Sequence, residues 1–315
     1  MRATGWGDER DLEHETLKKE RARRLKDILH FSHANGFPAS TYRTIFAELA
    51  DDYEIRVVER FGHDPRFPVT CDWPHLVDQL LEDIDARRAD DAKVWLVGHS
   101  LGGYLSLMAA LKRPQGVKGV VMLDSPVIAG WRSNLLRISQ WTGLDTRLSP
   151  AAATKNRRTH WPSREDAWRH FHAKSAFARW DERMLSDYID FAIPAEAASG
   201  GGLNTMSGMN EVASATNGPR KLAFDREVEF RIYKTLPRTL GARVAHGVPV
   251  PVGFIAGTHS KEVRQVGLDM TRRIVGGHLE WIEGSHLFPM EHPVETARAL
   301  QRTLNGLRGQ RQGDV

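Results

Sequence analysis

A serine between two glycines is the feature of this sequence that most directly suggests chemistry. Gly98-His99-Ser100-Leu101-Gly102 matches the pattern G-x-S-x-G, which has meaning where a strand precedes it and a helix follows it. The apolar run 93–97 predicts that strand, and residues 104–111 predict that helix. Small neighbours let a serine occupy a sharp, strained turn. We therefore interpret Ser100 as a nucleophile, with the Leu101 N–H at the helix start stabilising an oxyanion.

A serine nucleophile needs a base, and this sequence offers 14 histidines. His286 follows the last predicted strand, in the kind of loop where parallel sheets place their functional groups. His292 lies nearby, but it adjoins Pro293 at the start of the last predicted helix. His286 is therefore the preferred base.

The base in turn needs a carboxylate that fixes its tautomer and stabilises its charged form. Asp124 directly ends a predicted strand, whereas Glu262 lies beyond a turn and is flanked by Lys261 and Arg264. A short side chain at a strand end is held more rigidly than one at an exposed helix start. We favour Asp124 and keep Glu262 as the alternative.

The loop 33–38, which follows the first predicted strand, is expected to give the second oxyanion donor. Gly36 allows close backbone approach, and the N–H of Phe37 or Asn35 could donate. The alternative is that this segment is only a turn. The residues expected to line a substrate pocket are His33, His99, Trp131 and Trp161. Neither H-E-x-x-H nor C-x-x-C occurs, so no metal site and no cofactor is expected.

Alternating strand and helix patterns surround these residues. Strands are predicted at 28–31, 53–58, 93–97, 117–123, 250–256 and 278–282, and helices at 42–49, 74–88, 104–111 and 293–304. This order predicts an α/β fold: a mostly parallel central sheet of about six strands with helices on both faces and an inserted helical lid.

The chain divides into three predicted regions. Residues 1–26 form a charged helical arm, which is either a solvated helix or a contact for an anionic partner. Residues 27–125 and 248–308 form the core. Residues 126–247 interrupt the strand rhythm and are expected to form the lid, with a flexible break at Gly200–Gly202. Tryptophans are frequent in this lid: Trp131, Trp141, Trp161, Trp168 and Trp180 lie there, out of nine in the chain.

Composition narrows the class of protein. The chain has 315 residues, 41% of them hydrophobic, and a net charge of +4 with acids and bases interleaved, which argues against a nucleic-acid partner. No run approaches the ~20 apolar residues of a membrane span. The single cysteine, Cys71, excludes an intrachain disulfide, and residues 1–27 lack a signal-peptide core, so a cytoplasmic location is expected. The sequence does not decide whether the protein forms a homo-oligomer.

Together these residues resemble the α/β-hydrolase superfamily over roughly residues 29–304. Gly98-His99-Ser100-Leu101-Gly102-Gly103 has a form common in its esterase-like members, and Gly36-Phe37-Pro38-Ala39-Ser40 resembles their H-G-F-P-x-S oxyanion loop. Asn35 replaces the usual histidine before the glycine. The segment from Gly284 to Pro293 resembles the family's terminal segment, which carries the catalytic histidine.

The position of the acid departs from the usual pattern of this family. The usual acid position is Ser260 here, which cannot serve. The stretch from Val117 to Asp124 resembles instead the haloalkane dehalogenases, whose acid follows this earlier strand. Those enzymes use an aspartate nucleophile, which Ser100 does not match. The family's first β-hairpin is also missing, which implies a six-stranded sheet.

We therefore predict hydrolysis of an ester-type bond, a carboxylester or a thioester, through an acyl-enzyme. The aromatic residues of the lid favour a small-molecule substrate, an apolar acyl compound. The same residues would equally serve a C–C bond hydrolase, an amidase or a lactonase, or a haloperoxidase-like side activity, because fold does not fix function. A non-catalytic ligand-binding protein with a hydrolase shell is the alternative from another class.

Overall fold

Six parallel strands form the centre of the molecule in a computed structural model, which describes residues 26–86, 92–128, 154, 157–196 and 218–310. The strands are β1 (Asp27–Ser32), β2 (Tyr53–Val57), β3 (Val94–His99), β4 (Val117–Leu123), β7 (Val252–Gly257) and β8 (Leu279–Ile282). They lie side by side in the order β2-β1-β3-β4-β7-β8. All five pairings are parallel. The predicted fold class is confirmed.

Helices cover both faces of this sheet. They are α1 (Arg43–Leu49, after a 3-10 turn at Ala39–Tyr42), α2 (Pro74–Ala86), α3 (Leu101–Lys112, followed by a 3-10 turn at Pro114–Gly116), α8 (Lys261–Val266), α9 (Asp269–Val275), α10 (Phe288–Glu291) and α11 (Pro293–Gln310). α1 and α11 bury their apolar sides on one face, and α2, α3 and α9 bury theirs on the other.

Strand β3 shows how a continuous apolar sequence fits a strand that is buried on both faces of the sheet. All of its residues are buried, with Trp95 and Val97 in one core and Val94 and Leu96 in the other. Successive side chains of a strand point to opposite faces, so a continuous apolar run fills both cores at once. A strand placed in this way puts its last residues, His99 and the following Ser100, at the carboxyl edge of the sheet.

The segment between β4 and β7 contains four helices and one short strand pair among its described residues. The helices are α4 (Arg164–His172), α5 (Glu182–Ala192), α6 (Arg226–Lys234) and α7 (Leu240–Val244), and the antiparallel strands are β5 (His160–Trp161) and β6 (Arg220–Lys221). The strand pair was not predicted, and it stands apart from the main sheet.

Several sequence predictions fall outside the described residues. These are the charged arm up to residue 25, Trp131 and Trp141, and the Gly200–Gly202 break. The lid and its boundaries therefore stay predictions. Within the part of the chain that the structure describes, no helix combines the length and the apolar character needed to cross a bilayer.

Candidate active site

Ser100 occupies a strained turn between β3 and α3. Its backbone has φ +52° and ψ −113°, a left-handed conformation that costs a non-glycine residue energy. Its N–H donates to Leu123 O at 2.9 Å, which ties the turn to the end of β4. Leu101 is the first residue of α3, and a first-turn N–H has no partner within its own helix. The turn therefore places the Ser100 hydroxyl and the Leu101 N–H, which has no partner within its helix, at the sheet edge.

Close contacts around Ser100 leave no room for a side chain at the neighbouring glycines. A Cβ on Gly98 would lie 2.1 Å from the Gly102 carbonyl carbon, and one on Gly102 would lie 1.9 Å from Ser32 O. A Cβ on Gly103 would lie 2.2 Å from Ser125 Oγ. Real Cβ atoms do not approach backbone atoms this closely, so helix α3 can start beside β1 and β3 only with glycine at positions 98 and 102. A side chain at position 103 would have to displace Ser125.

Asp124 and His286 form a buried hydrogen-bonded pair. Asp124 follows β4 with φ +49°, and its Oδ2 lies 2.7 Å from His286 Nδ1. Its Oδ1 accepts from Gly257 N at 2.9 Å, and its Oδ2 also accepts from Ser260 Oγ at 2.5 Å. Three bonds fix a side chain that has no solvent exposure. The carboxylate can therefore hold the imidazole in a single orientation.

Glu262, the alternative acid, lies at the edge of the same group. Its Oε2 is 3.8 Å from His286 Nδ1, and its side chain is 45% exposed. It belongs to the first turn of α8. Beyond about 3.5 Å a side-chain contact is not a hydrogen bond, so Glu262 acts on His286 through charge alone. This geometry favours Asp124 as the partner of the imidazole.

The two carboxylates set the charge state of the imidazole. Burial of the ring opposes protonation, but the hydrogen bond to Asp124 and the charges of Glu262 and Asp124 outweigh it, so the pKa of His286 is raised above 6.5. Asp124, Glu262 and His286 each offer a metal-ligand atom, all within 4.8 Å of one another. Both Asp124 oxygens are already bonded, so we interpret the group as an acid–base pair rather than a metal site.

The structure places Ser100 and His286 on adjoining loops. The ring of His99, which precedes Ser100, lies 5.1 Å from the His286 ring. No hydrogen bond joins the Ser100 hydroxyl to His286 within the described residues. Such bonds often tighten only when substrate binds. The pairing of Ser100 with His286 stays a prediction.

The loop after β1, from which the second oxyanion donor is expected, is bonded within itself and to the insertion. The Phe37 N–H, one of the expected oxyanion donors, donates to Ala34 O at 3.1 Å within the loop. The buried side chain of Asn35 donates to Glu229 O in α6 at 3.0 Å. Gly36 has φ +84°, and a Cβ there would lie 2.7 Å from Glu229 Oε1. The loop is thus a turn closed by its own bonds and pressed against the insertion.

His33, which was expected to line a pocket, is buried and bonded through both ring nitrogens. It is fully buried, its Nδ1 bonds Ala34 O at 2.8 Å, and its Nε2 accepts from Phe61 N at 2.9 Å. Burial lowers the pKa of His33 to about 3, so the ring is neutral. Both ring nitrogens make hydrogen bonds to the main chain, and in this way His33 connects the loop after β1 to the loop after β2.

The remaining pocket residues also have defined places. Trp161 is 2% exposed and packs on Phe171 in the aromatic core of the insertion, with ring centroids 5.6 Å apart. His99 is fully buried, and its nitrogens lie 2.8 Å from Tyr42 Oη and 2.9 Å from His286 O. Neither side chain is open to a substrate in this arrangement. Trp131 is outside the described residues.

Sequence reasoning missed two polar features beside the site. Tyr42 is the first, and nothing in its sequence neighbourhood marks it. The second is the pair of Arg157 Nη1 and Glu229, 3.0 Å apart and mostly buried, with Tyr188 Oη bonded to the same guanidinium. Arg157 and Glu229 are 72 positions apart in the chain, so no local pattern could join them.

Comparison with known proteins decides the family. The sequence model described as "Alpha/beta hydrolase family" matches residues 31–299 of this chain. The chain belongs to the alpha/beta hydrolase family. The match covers the core strands that carry Ser100, Asp124 and His286, as well as the insertion.

Individual relatives are more distant. Monoglyceride lipase of Mus musculus is 27% identical over 110 residues, which are 33% of this chain and 36% of the lipase. The alignment thus spans about a third of that relative. E-2-(acetamidomethylene)succinate hydrolase superimposes with a TM-score of 0.66 at 18% identity, covering 89% of this chain and 92% of that one.

A further alpha/beta hydrolase fold comes from a thioesterase domain of the curacin biosynthetic pathway. It superimposes with a TM-score of 0.59 at 16% identity, covering 87% of this chain and 90% of that domain. These solved structures establish the fold, and the bond that this protein cleaves has to be argued from its own site.

Proposed function

We propose that this protein hydrolyses an ester-type bond, a carboxylester or a thioester, through an acyl-enzyme formed on Ser100. The observation that carries the proposal is the 2.7 Å bond between His286 Nδ1 and the buried Asp124 carboxylate, at the sheet edge where Ser100 holds a strained turn. Strain at a polar residue beside a buried acid–base pair is characteristic of a nucleophile site.

The proposed reaction has two halves. His286 takes the proton of the Ser100 hydroxyl as Oγ attacks the substrate carbonyl carbon, and then gives it to the leaving alcohol or thiol. Water next attacks the acyl-enzyme, His286 takes a proton from the water, and that proton returns to Ser100 Oγ as the acid leaves. Asp124 stays ionised and stabilises the imidazolium that forms in each half.

Oxyanion stabilisation falls mainly to the Leu101 N–H in this proposal. Its position at the start of α3 supports the role, because both its open hydrogen-bonding capacity and the helix dipole favour negative charge. The N–H of Phe37 can contribute if its bond to Ala34 O is shared or exchanged as substrate binds. The first donor is thus preformed, and the second depends on movement of the β1 loop.

The insertion is proposed to act as a lid that supplies an apolar surface. Phe37 packs against Trp180 and Tyr188, with centroids 5.7 Å and 5.6 Å apart, so the aromatic core of the insertion continues directly from the candidate oxyanion loop. This continuity favours an apolar acyl compound of small to medium size. A cytoplasmic location belongs to the proposal too, since the exposed free thiol of Cys71 suits a reducing compartment.

Labelling with a fluorophosphonate probe tests the proposal directly. The wild-type protein should form one adduct, mapped by mass spectrometry to Ser100, and should turn over some of a panel of acyl esters and thioesters of graded chain length. Ser100→Ala should lose the adduct and lower turnover by roughly 10⁶-fold, with an unchanged melting temperature. An adduct on another residue, or no adduct and no turnover, would contradict the proposal.

A further inference from the structure

A buried chain of hydrogen bonds links three loops of the candidate site. The Ala34 N–H lies 3.2 Å from Tyr42 Oη, Tyr42 Oη lies 2.8 Å from His99 Nδ1, and His99 Nε2 lies 2.9 Å from His286 O. Tyr42 and His99 have no solvent exposure. The chain therefore runs from the loop after β1, through the residue before Ser100, to the main chain of the proposed base.

For a neutral His99, the two ends of the chain fix the direction of every bond. A backbone N–H can only donate and a carbonyl oxygen can only accept. Tyr42 Oη therefore accepts from Ala34 and donates its single proton to His99 Nδ1. His99 then carries its proton on Nε2 and donates it to His286 O. The neutral ring satisfies both of its bonds only in this tautomer.

The surroundings of His99 keep it neutral. Burial lowers the pKa of His99 to about 3, and the proximity of His286 adds to that effect, although the bond to His286 O and the charge of Asp124 act in the other direction. Burial likewise raises the pKa of Tyr42 above its usual value. The donors and acceptors therefore keep the same arrangement while His286 itself changes charge.

We propose that Tyr42 and His99 are positioning residues that set the main chain of His286, and with it the imidazole, relative to Ser100 and the loop after β1. The inference rests on the proposed function of Ser100 and His286. Buried polar groups are costly unless each is bonded, and apolar side chains would fill this part of the core at lower cost. Tyr42 and His99 instead form a chain whose last hydrogen bond is to the main-chain carbonyl of His286, the proposed base.

The expected effect is on turnover rather than on substrate binding. Both side chains are buried behind the reacting groups, so neither contacts substrate in this arrangement. A displacement of the base by about 1 Å can lower a reaction rate by roughly 100-fold. Loss of the chain should therefore lower kcat and leave KM nearly unchanged.

Tyr42→Phe is the cleanest test, because it removes one hydroxyl and keeps the ring that packs on Phe31 and Phe46. The matched control is Tyr53→Phe. Tyr53 is also buried, but it is the first residue of β2 and lies at the amino ends of the strands, away from the candidate site. We expect Tyr42→Phe to lower kcat on a p-nitrophenyl ester, and the rate of fluorophosphonate labelling, by about 10–100-fold. The control should stay within about twofold of the wild type in both measurements.

The pH profile separates positioning from a loss of folded protein. If the base drifts from Asp124, the bond that raises its pKa weakens, so the midpoint of the acidic limb should move to lower pH in Tyr42→Phe. A variant that only unfolds more easily would change the amplitude and keep the midpoint. An unchanged midpoint together with a kcat within twofold of the wild type would overturn the inference.

Two substitutions of His99 provide the second comparison. His99→Gln can still place an N–H near His286 O, whereas His99→Leu cannot. We expect the glutamine variant to retain about tenfold more activity than the leucine variant. Equal loss in both, at equal melting temperature, would contradict positioning through the His286 carbonyl. Failure of the wild type to label on Ser100 would contradict instead the proposed function, so the two failures are distinguishable.

Discussion

The two sides of the candidate site are built in different ways. The acid–base side comes from strand ends: Asp124 directly follows β4, and its carboxylate is held by Gly257, Ser260 and His286. The oxyanion side comes from the loop after β1, where the Phe37 N–H is bonded inside the loop and Asn35 is bonded to the insertion. One side is fixed by the sheet, and the other depends on what packs over it.

This difference indicates which groups of the proposed enzyme are already in place before substrate binds. Rigid, fully bonded groups need no rearrangement during the reaction, and Asp124 meets that description. The β1 loop meets Glu229 of α6, which carries the buried ion pair to Arg157. We therefore expect substitutions on the acid–base side to lower the rate of the chemical step directly. Substitutions on the loop side should lower turnover by changing how the loop packs against the insertion.

Among the substitutions that compare the two sides of the site, Asp124→Asn should have the largest effect. The amide would hold the imidazole in the wrong tautomer, and turnover should fall by roughly 10³–10⁴-fold. Glu262→Gln is the matched control, since its carboxylate lies 3.8 Å from the same nitrogen and is 45% exposed. That variant should lose less than about tenfold. The reverse ranking in paired kinetic measurements would transfer the acid role to Glu262.

An intermediate effect is expected from Gly36→Ala. The new Cβ would lie 2.7 Å from Glu229 Oε1 at a residue with φ +84°. Gly247→Ala is the control, because Gly247 has φ +99° and nothing within 4 Å of its Cβ position. Both variants should lose roughly 1–2 kcal/mol of stability from the backbone.

Only the Gly36 variant should also lose turnover, by about tenfold or more, because only there does the loop have to move away from α6. Thermal melts combined with steady-state kinetics measure both quantities. Equal kinetics in the two variants would show that contact with the insertion does not shape the oxyanion side.

The smallest effect concerns the pH dependence of turnover. His286 must be neutral to accept a proton, so activity should rise with pH through the pKa of His286. Because the carboxylates raise that pKa, the midpoint should lie above 6.5. Glu262→Gln removes one of the charges and should move the midpoint down by roughly a few tenths of a pH unit. A midpoint at or below 6.5 in the wild type would contradict this electrostatic account.

The amino-acid sequence was sufficient to predict the sheet, because apolar runs located all six strands. Asp124 was preferred over Glu262 because it ends its strand directly, and it lies 2.7 Å from His286. The catalytic roles of both residues stay predictions. The boundaries were less accurate. Residue 42 was expected to begin a helix but lies in a 3-10 turn, and α11 continues six residues past the predicted end at 304.

Residues that depend on long-range packing could not be predicted. His33 was expected to line a pocket because it lies in the loop after the first strand, but its Nε2 accepts from the Phe61 N–H, which belongs to another loop. Tyr42 is an unremarkable position in sequence, and its meaning comes from His99, 57 positions away. The Arg157–Glu229 pair likewise joins two parts of the insertion that share no local pattern.

Ser260 has a consequence for how such a site can change over evolutionary time. It stands at the position where the family resemblance places the usual acid, and its hydroxyl donates to the acid proposed for this chain, at 2.5 Å from Asp124 Oδ2. The loops after two adjacent strands therefore meet at one carboxylate, and the proposed acid and its hydrogen-bond donor occupy neighbouring places. An aspartate arising at position 260 would lie against Asp124, and two adjacent buried carboxylates disfavour each other's charged form. A transfer of the acid from one strand to the other would therefore require both positions to change.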